Sequence, residues 1–150
     1  MLIEHILHRK GSDVATIASG ATVDEAVALL RERNIGALVV TRAAAEGGPP
    51  GPVVGVLSER DVVRALAGGD ATALLAGSVA DLMSTDVATC GPRATVDELM
   101  RLMTNRRIRH IPVVDGDALV GIVSIGDVVK SRIDELQAET DTLHDYLSGR

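Results

Sequence analysis

The stretch VATIASGATVDEAVALLRERNIGALVV, residues 14–40, has a second version further along the chain. It aligns without gaps to VATCGPRATVDELMRLMTNRRIRHIPV, residues 87–113. VVGVLSERDVV (53–63) then pairs with LVGIVSIGDVV (119–129). The first copy is longer in the middle, and the excess lies in AAAEGGPPGP, residues 43–52. Gly and Pro at that density predict an exposed loop. Two copies are too few for a solenoid, but they suit a pseudo-symmetric pair whose members bury each other's apolar faces.

Both copies carry the same local signals. VATI and VATC read as short strands. TVDE follows in each, at 22–25 and 95–98, and is a capping box: the Thr hydroxyl takes a first-turn N–H and the Glu answers back. Behind it, Val23, Ala26, Val27 and Leu30 recur at i, i+3, i+4, i+7, as do Val96, Leu99, Met100 and Met103. ALVV and HIPVV, then VVGVL and LVGIV, read as strands. In the second copy DGDA joins them, a hairpin turn built on Asp115-Gly116. SERDVVRAL and SIGDVVKSRI open a second helix. The order per copy is β-α-β-β-α, and IEHIL and VADLM read as short lead-in helices before each.

Composition narrows the function classes. With 150 residues, 46% of them hydrophobic, the chain can form one compact domain or two small ones. There is no Trp or Phe and only Tyr146, so the core must be aliphatic. A net charge of −6 argues against nucleic-acid or anionic-membrane binding, which need a basic surface. Cys90 is the single cysteine, which excludes an internal disulfide and suits a reducing cytoplasm. It reads as a small buried hydrophobe. No apolar run approaches the ~20 residues of a membrane span, and the segment MLIEHILHRKG carries Glu4 and does not read as a signal peptide.

The duplicated pattern, IRHIPVVD (108–115), and the paired motifs GVLSERD (55–61) and GIVSIGD (121–127) resemble the CBS domain, two of which form a Bateman module. The resemblance covers about Ile3 to about Ile133. It implies an α/β (α+β) fold of two pseudo-symmetric β-α-β-β-α repeats packed as one module. Residues 1–70 would form repeat 1 with its lead-in helix, 78–135 repeat 2, and 136–150 a C-terminal helical tail. It also implies a regulatory module that binds an adenine nucleotide in a cleft between the repeats. AMP is the first expectation, with ATP, ADP, NAD and S-adenosylmethionine as alternatives.

Ser58 with Asp61, and Ser124 with Asp127, read directly as helix caps. A helix N-terminus with free N–H groups is also an anion site. By resemblance, each Asp takes the ribose hydroxyls and each Ser sits near the phosphate. Gly55 and Gly121 mark a close approach, either of backbone or of a ligand.

Arg106 and Arg107 fall at a helix end near Asn105, where basic residues partner the dipole. Arg109 and His110 enter a strand just before Pro112, whose missing donor marks an edge or a strand start. Two such charges need an anion. It could be a carboxylate of the same chain or, by resemblance, a phosphate gripped by Arg109. The aligned residues of the first copy, Gly36 and Ala37, are uncharged, so that copy would rely on backbone N–H groups or on Arg60. The resemblance places the adenine against Thr16, Ala18, Thr89, Gly91, Ile35 and Ile108, although the isoleucines read equally as core.

His5 and His8 lack further ligands for a recognisable metal site. No acid–base or nucleophile constellation points to an enzyme. Val129, Ile133, Leu136, Thr140, Leu143 and Leu147 form a heptad seam in the tail, with Thr140 as its weak point. The seam suits either folding back on the module or a homodimer contact, and the latter agrees with the paired modules of the family. With no effector domain in the chain, the output would fall to an unknown partner protein. The competing reading is a structural or oligomerisation module without a ligand.

Overall fold

The computed structural model describes residues 1–149. The chain runs α1 (Ile3–Lys10), β1 (Thr16–Ala18), α2 (Val23–Arg33), β2 (Ala37–Thr41), β3 (Val53–Ser58), α3 (Glu59–Leu66), α4 (Ala71–Ala76), α5 (Val79–Leu82), α6 (Val96–Arg106), β4 (His110–Asp115), β5 (Ala118–Ser124) and α7 (Ile125–Leu147). This is the mixed α/β order expected, except that α4 is added and no strand precedes α6 in the second copy. Two compact units emerge. One holds Met1–Ser12, Thr89–Asp115 and Gly121–Arg150; the other holds Asp13–Ala88 with Gly116–Val120.

In the unit built on the first copy, β1 is parallel to β2 and β2 antiparallel to β3. The buried β2 is central, and Leu38, Val40 and Leu57 pack with Ala26 and Leu30 of α2 and Val79 of α5. The capping box forms as read: Thr22 N donates to Glu25 Oε2 at 2.9 Å and Glu25 N to Thr22 Oγ1 at 3.1 Å. Helix α2 ends on Asn34 in the left-handed region, a conformation Asn tolerates well. The connection from β2 to β3, with its Gly and Pro, is exposed almost throughout.

The other unit repeats the plan, with Ile3, Val96, Leu99, Met103, Ile111, Val113, Val123 and Val128 all buried. Its box closes between Thr95 and Glu98 at 2.7 and 3.2 Å. Helix α6 stops on Arg107 at φ +54°, where the aligned residue of the first copy is Asn34. The β4–β5 turn lies on Gly116 and Asp117, one residue beyond the position expected. Only Gly116 has positive φ there, which fits a II′ rather than a I′ turn.

The second copy's first strand is reduced to a single parallel bridge between Cys90 and Val113. The cause is two prolines. In the first copy, Val39 N donates to Ala15 O and Ser19 N to Thr41 O, bracketing β1. The aligned residues are Pro112 and Pro92, which have no N–H to donate. What survives is Cys90 N to Pro112 O at 3.1 Å and Val114 N to Cys90 O at 2.9 Å.

The lead-in helices bond to the opposite copy's residues. Ile3 N donates to Ala94 O and Val96 N to Met1 O, which ties α1 to the start of α6. Val23 N donates to Gly77 O and Val79 N to Ala21 O, which ties the α5 segment to the start of α2. Helix α7 continues without a break into the tail, so residues 136–147 extend the helix that Ser124 caps.

Candidate functional site

The site residues of the first-copy unit gather around the β3–α3 junction. Ser58 ends β3 and caps α3. Its N–H and Oγ donate to Asp61 Oδ2 at 2.9 and 3.0 Å, and Asp61 N donates back to Ser58 Oγ at 3.2 Å. The Asp61 carboxylate is thereby held at the positive end of the helix, half-buried. Glu59 N donates to Gly36 O at 2.9 Å, and Ala37 is the β-partner of Ser58, so Gly36 and Ala37 adjoin the cap. Thr16 and Ala18 lie one strand further away, on β1 across β2. Ile35 donates its N–H to Leu30 O and is part of the α2 exit. Arg60 projects from the first turn of α3 and is exposed.

The second-copy unit reproduces this junction. Ser124 N and Oγ reach Asp127 Oδ2 at 2.8 and 3.0 Å, and Asp127 N reaches Ser124 Oγ at 3.2 Å. Ile125 N donates to Arg109 O at 2.9 Å, matching the Glu59–Gly36 bond. Ile108 donates to Met103 O as Ile35 does to Leu30 O. Exposed Arg109 lines a groove of about 540 Å³ with Ile125, Gly126, Val129, Lys130 and Ile133. This groove lies along the outer face of α7. His110 starts β4, and Pro112 faces the Cys90 bridge, so its missing donor costs no β5 contact. Thr89 and Gly91 flank Cys90 and are exposed.

One residue breaks the symmetry, and sequence reasoning passed over it. Lys10, the last residue of α1, donates from Nζ to Asp127 Oδ2 at 2.7 Å and to Ile122 O at 2.8 Å. In the other unit the carbonyl aligned with Ile122 is that of Val56, and Ser84 N takes it. Helix α1 has 8 residues and α5 has 4, and the extra turn brings a lysine side chain where the other copy has a backbone amide. Burial pushes the Asp127 carboxyl pKa up, but the Lys10 and Ser124 hydrogen bonds and the Lys10 charge outweigh it. The net shift is below the ordinary carboxylate value.

The glycine question is answered by the lead-in helices. A Cβ on Gly121 would sit 2.5 Å from Leu7 Cδ2, and one on Gly55 2.5 Å from Met83 Sδ and 3.0 Å from Ser84 O. The approaching group is the protein's own chain in both. The Cys90 thiol is pushed up to about 11 by burial and by Glu98, which leaves it a poor nucleophile. Among the described residues, no group of three or more His, Cys, Asp or Glu is arranged to hold a metal ion. No helix among them is long and apolar enough to cross a membrane.

Comparison with known proteins agrees with this architecture. Residues 3–68 and 79–134 each match the CBS domain. Over 130 residues the chain is 35% identical to a mitochondrial CBS domain-containing protein of Arabidopsis thaliana, covering 85% of this chain and 61% of that one. It therefore spans less than two thirds of that relative's length. The crystal structure of a CBS-domain-containing protein from Agrobacterium tumefaciens matches with TM-score 0.78 at 43% identity, covering 87% of this chain and 92% of that chain. A solved CBS domain pair in complex with 5-methylthioadenosine and S-adenosyl-L-methionine matches with TM-score 0.74 at 25% identity, covering 90% and 98%. The duplicated sequence, the two capped junctions and these matches together make the chain a member of the CBS-domain family, carrying the domain twice in tandem.

Proposed function

We propose that this CBS pair is a regulatory module that binds an adenine nucleotide and reports it to a partner protein. The observation that carries the reading is the repeated junction: in both copies a strand runs into a Ser-capped helix whose first turn holds a half-buried carboxylate. In each cap Oδ2 takes the Ser N–H and Oγ, so a vicinal diol sets one hydroxyl on the open Oδ1 and shares Oδ2 with the serine. The solved pair that holds 5-methylthioadenosine and S-adenosylmethionine supports an adenosine moiety as the shared ligand element. AMP is the first ligand of the reading, and ATP, ADP and NAD are alternatives.

Asp61 and Asp127 take the ribose, with Ser58 and Ser124 beside the phosphate. Arg109 in one copy, with His110 beside it, and Arg60 in the other supply positive charge. Thr16, Ala18, Ile35, Gly36, Ala37, Thr89, Gly91, Ile108 and Pro112 complete the lining. The module is non-enzymic and cytoplasmic in this reading. A ligand with unequal affinity for two conformations shifts their populations, and that shift is the signal.

A second reading rests on the α7 seam. Ile125, Val129, Ile133, Leu136, Leu143 and Leu147 are each between 45% and 82% exposed, an apolar stripe on one long helix broken only at Thr140. It supports a homodimer and, taken alone, a module whose purpose is assembly. Isothermal titration with AMP, ADP, ATP and NAD decides between the two. Saturable heat with one of them supports the sensor. Flat titrations with all four, beside a stable dimer, support assembly.

A further inference from the structure

We infer that Lys10 is a specificity-determining residue of the Asp127 site, setting its preference for phosphorylated over neutral adenosine ligands. The inference rests on the reading of Asp127 as a ribose acceptor. Its own ground is an asymmetry between two aligned junctions. Asp61 and Asp127 have the same cap, with the same three contacts to their serines. Asp127 Oδ2 carries a third donor, the Lys10 ammonium at 2.7 Å, which also holds Ile122 O at 2.8 Å.

A vicinal diol engages a carboxylate best with one hydroxyl on each oxygen. At Asp127, Oδ2 already accepts three hydrogen bonds, and of the three donors only the lysine is a long flexible side chain. The diol must therefore move the ammonium aside. The Lys10 side chain is 31% exposed and that of Asp127 23%, so the pair is only partly shielded from water and separating it costs a modest amount. A nucleotide offers it a phosphate in exchange. A nucleoside offers nothing, and the cost of breaking the pair falls fully on its affinity. Lys10 thus penalises adenosine and favours AMP at this site. Asp61, with no ammonium among its contacts, has no such filter.

The test uses the full chain carrying Asp61→Asn, so that only the Asp127 site is read, with and without Lys10→Met. Calorimetric titrations with AMP and with adenosine are compared. Lys10→Met tightens adenosine about threefold and weakens AMP, so the AMP-to-adenosine affinity ratio falls by more than that factor. Lys10→Gln keeps a donor for Ile122 O without the charge, and it lowers the ratio too, which guards against a folding defect in the first variant. An unchanged ratio in both variants, with binding intact, overturns this inference and leaves the proposed function standing. Failure of the wild-type chain to bind either ligand overturns both.

Discussion

The carbonyl of Arg109 accepts the Ile125 N–H at 2.9 Å, so the backbone of an exposed site cation holds the first turn of the helix that carries Asp127. In the first copy a glycine, Gly36, makes the same bond to Glu59. The side chain at this position is therefore free of the structural role its backbone performs. Arg109→Ala should leave the melting temperature nearly unchanged, since an exposed surface truncation costs within about 0.5 kcal/mol. The same variant should weaken AMP about ten- to hundredfold while adenosine binding holds, because a charge-assisted phosphate contact is worth about 1.5–3 kcal/mol. Parallel titrations with the two ligands check this; equal losses for both would remove Arg109 from the phosphate.

The Lys10–Asp127 pair gives a pH signature. The Asp127 carboxyl is held below its ordinary value, so the folded state binds its proton less readily than the unfolded chain does. The stabilisation is present at neutral pH and is lost as pH falls below about 4, through the depressed folded value. Urea unfolding of the wild type and of Lys10→Met across pH 7 to 2 should show a stability gap that closes at the acid end. A gap that persists at pH 2 would mean that Lys10 acts through packing.

Arg107 occupies a left-handed position at φ +54°, where its counterpart is Asn34. Replacing it with Asn or Gly relieves strain and should stabilise the chain by about 0.5–1 kcal/mol. A rise in the denaturation midpoint with unchanged slope checks it. A fall would show that the Arg107 side chain contributes more than its backbone costs.

Gly121→Ala places a Cβ against Leu7, and Gly55→Ala one against Met83 and the Ser84 carbonyl. Overpacking of this kind costs about 1–3 kcal/mol. The Gly55 variant should suffer as much as the Gly121 variant despite the flexible methionine, because backbone lies behind it. Thermal melts of the two variants measure this directly.

The exposed stripe on α7 predicts self-association. Ile133→Glu puts a charge at the middle of the seam, between Val129 and Leu136, and should convert a dimer to a monomer in sedimentation analysis. Unchanged mass in wild type and variant would take α7 out of the assembly.

What could be read from the sequence was what short range encodes. Thr22 and Glu25, or Ser124 and Asp127, are three residues apart, and their bonds follow from that spacing. The duplication transferred each such reading to the other copy. The shortening of the second copy's first strand is also written in the chain, in Pro92 and Pro112, but apolar alternation carries no mark of which backbone donors the ladder needs. The exchange of lead-in helices and the Lys10–Asp127 contact lay beyond reach. Their partners are far apart in sequence, and a basic residue at a helix end already has a sufficient local explanation in the dipole. The outward turn of the heptad seam could not be read either, since apolar spacing is the same for a face turned to the core and one turned outward.

The most direct test is a crystal structure of the chain grown with AMP. The account predicts the ribose hydroxyls on the carboxylate of Asp61, Asp127 or both, with the adenine against the aliphatic lining. AMP bound with both carboxylates turned away from its ribose would contradict it.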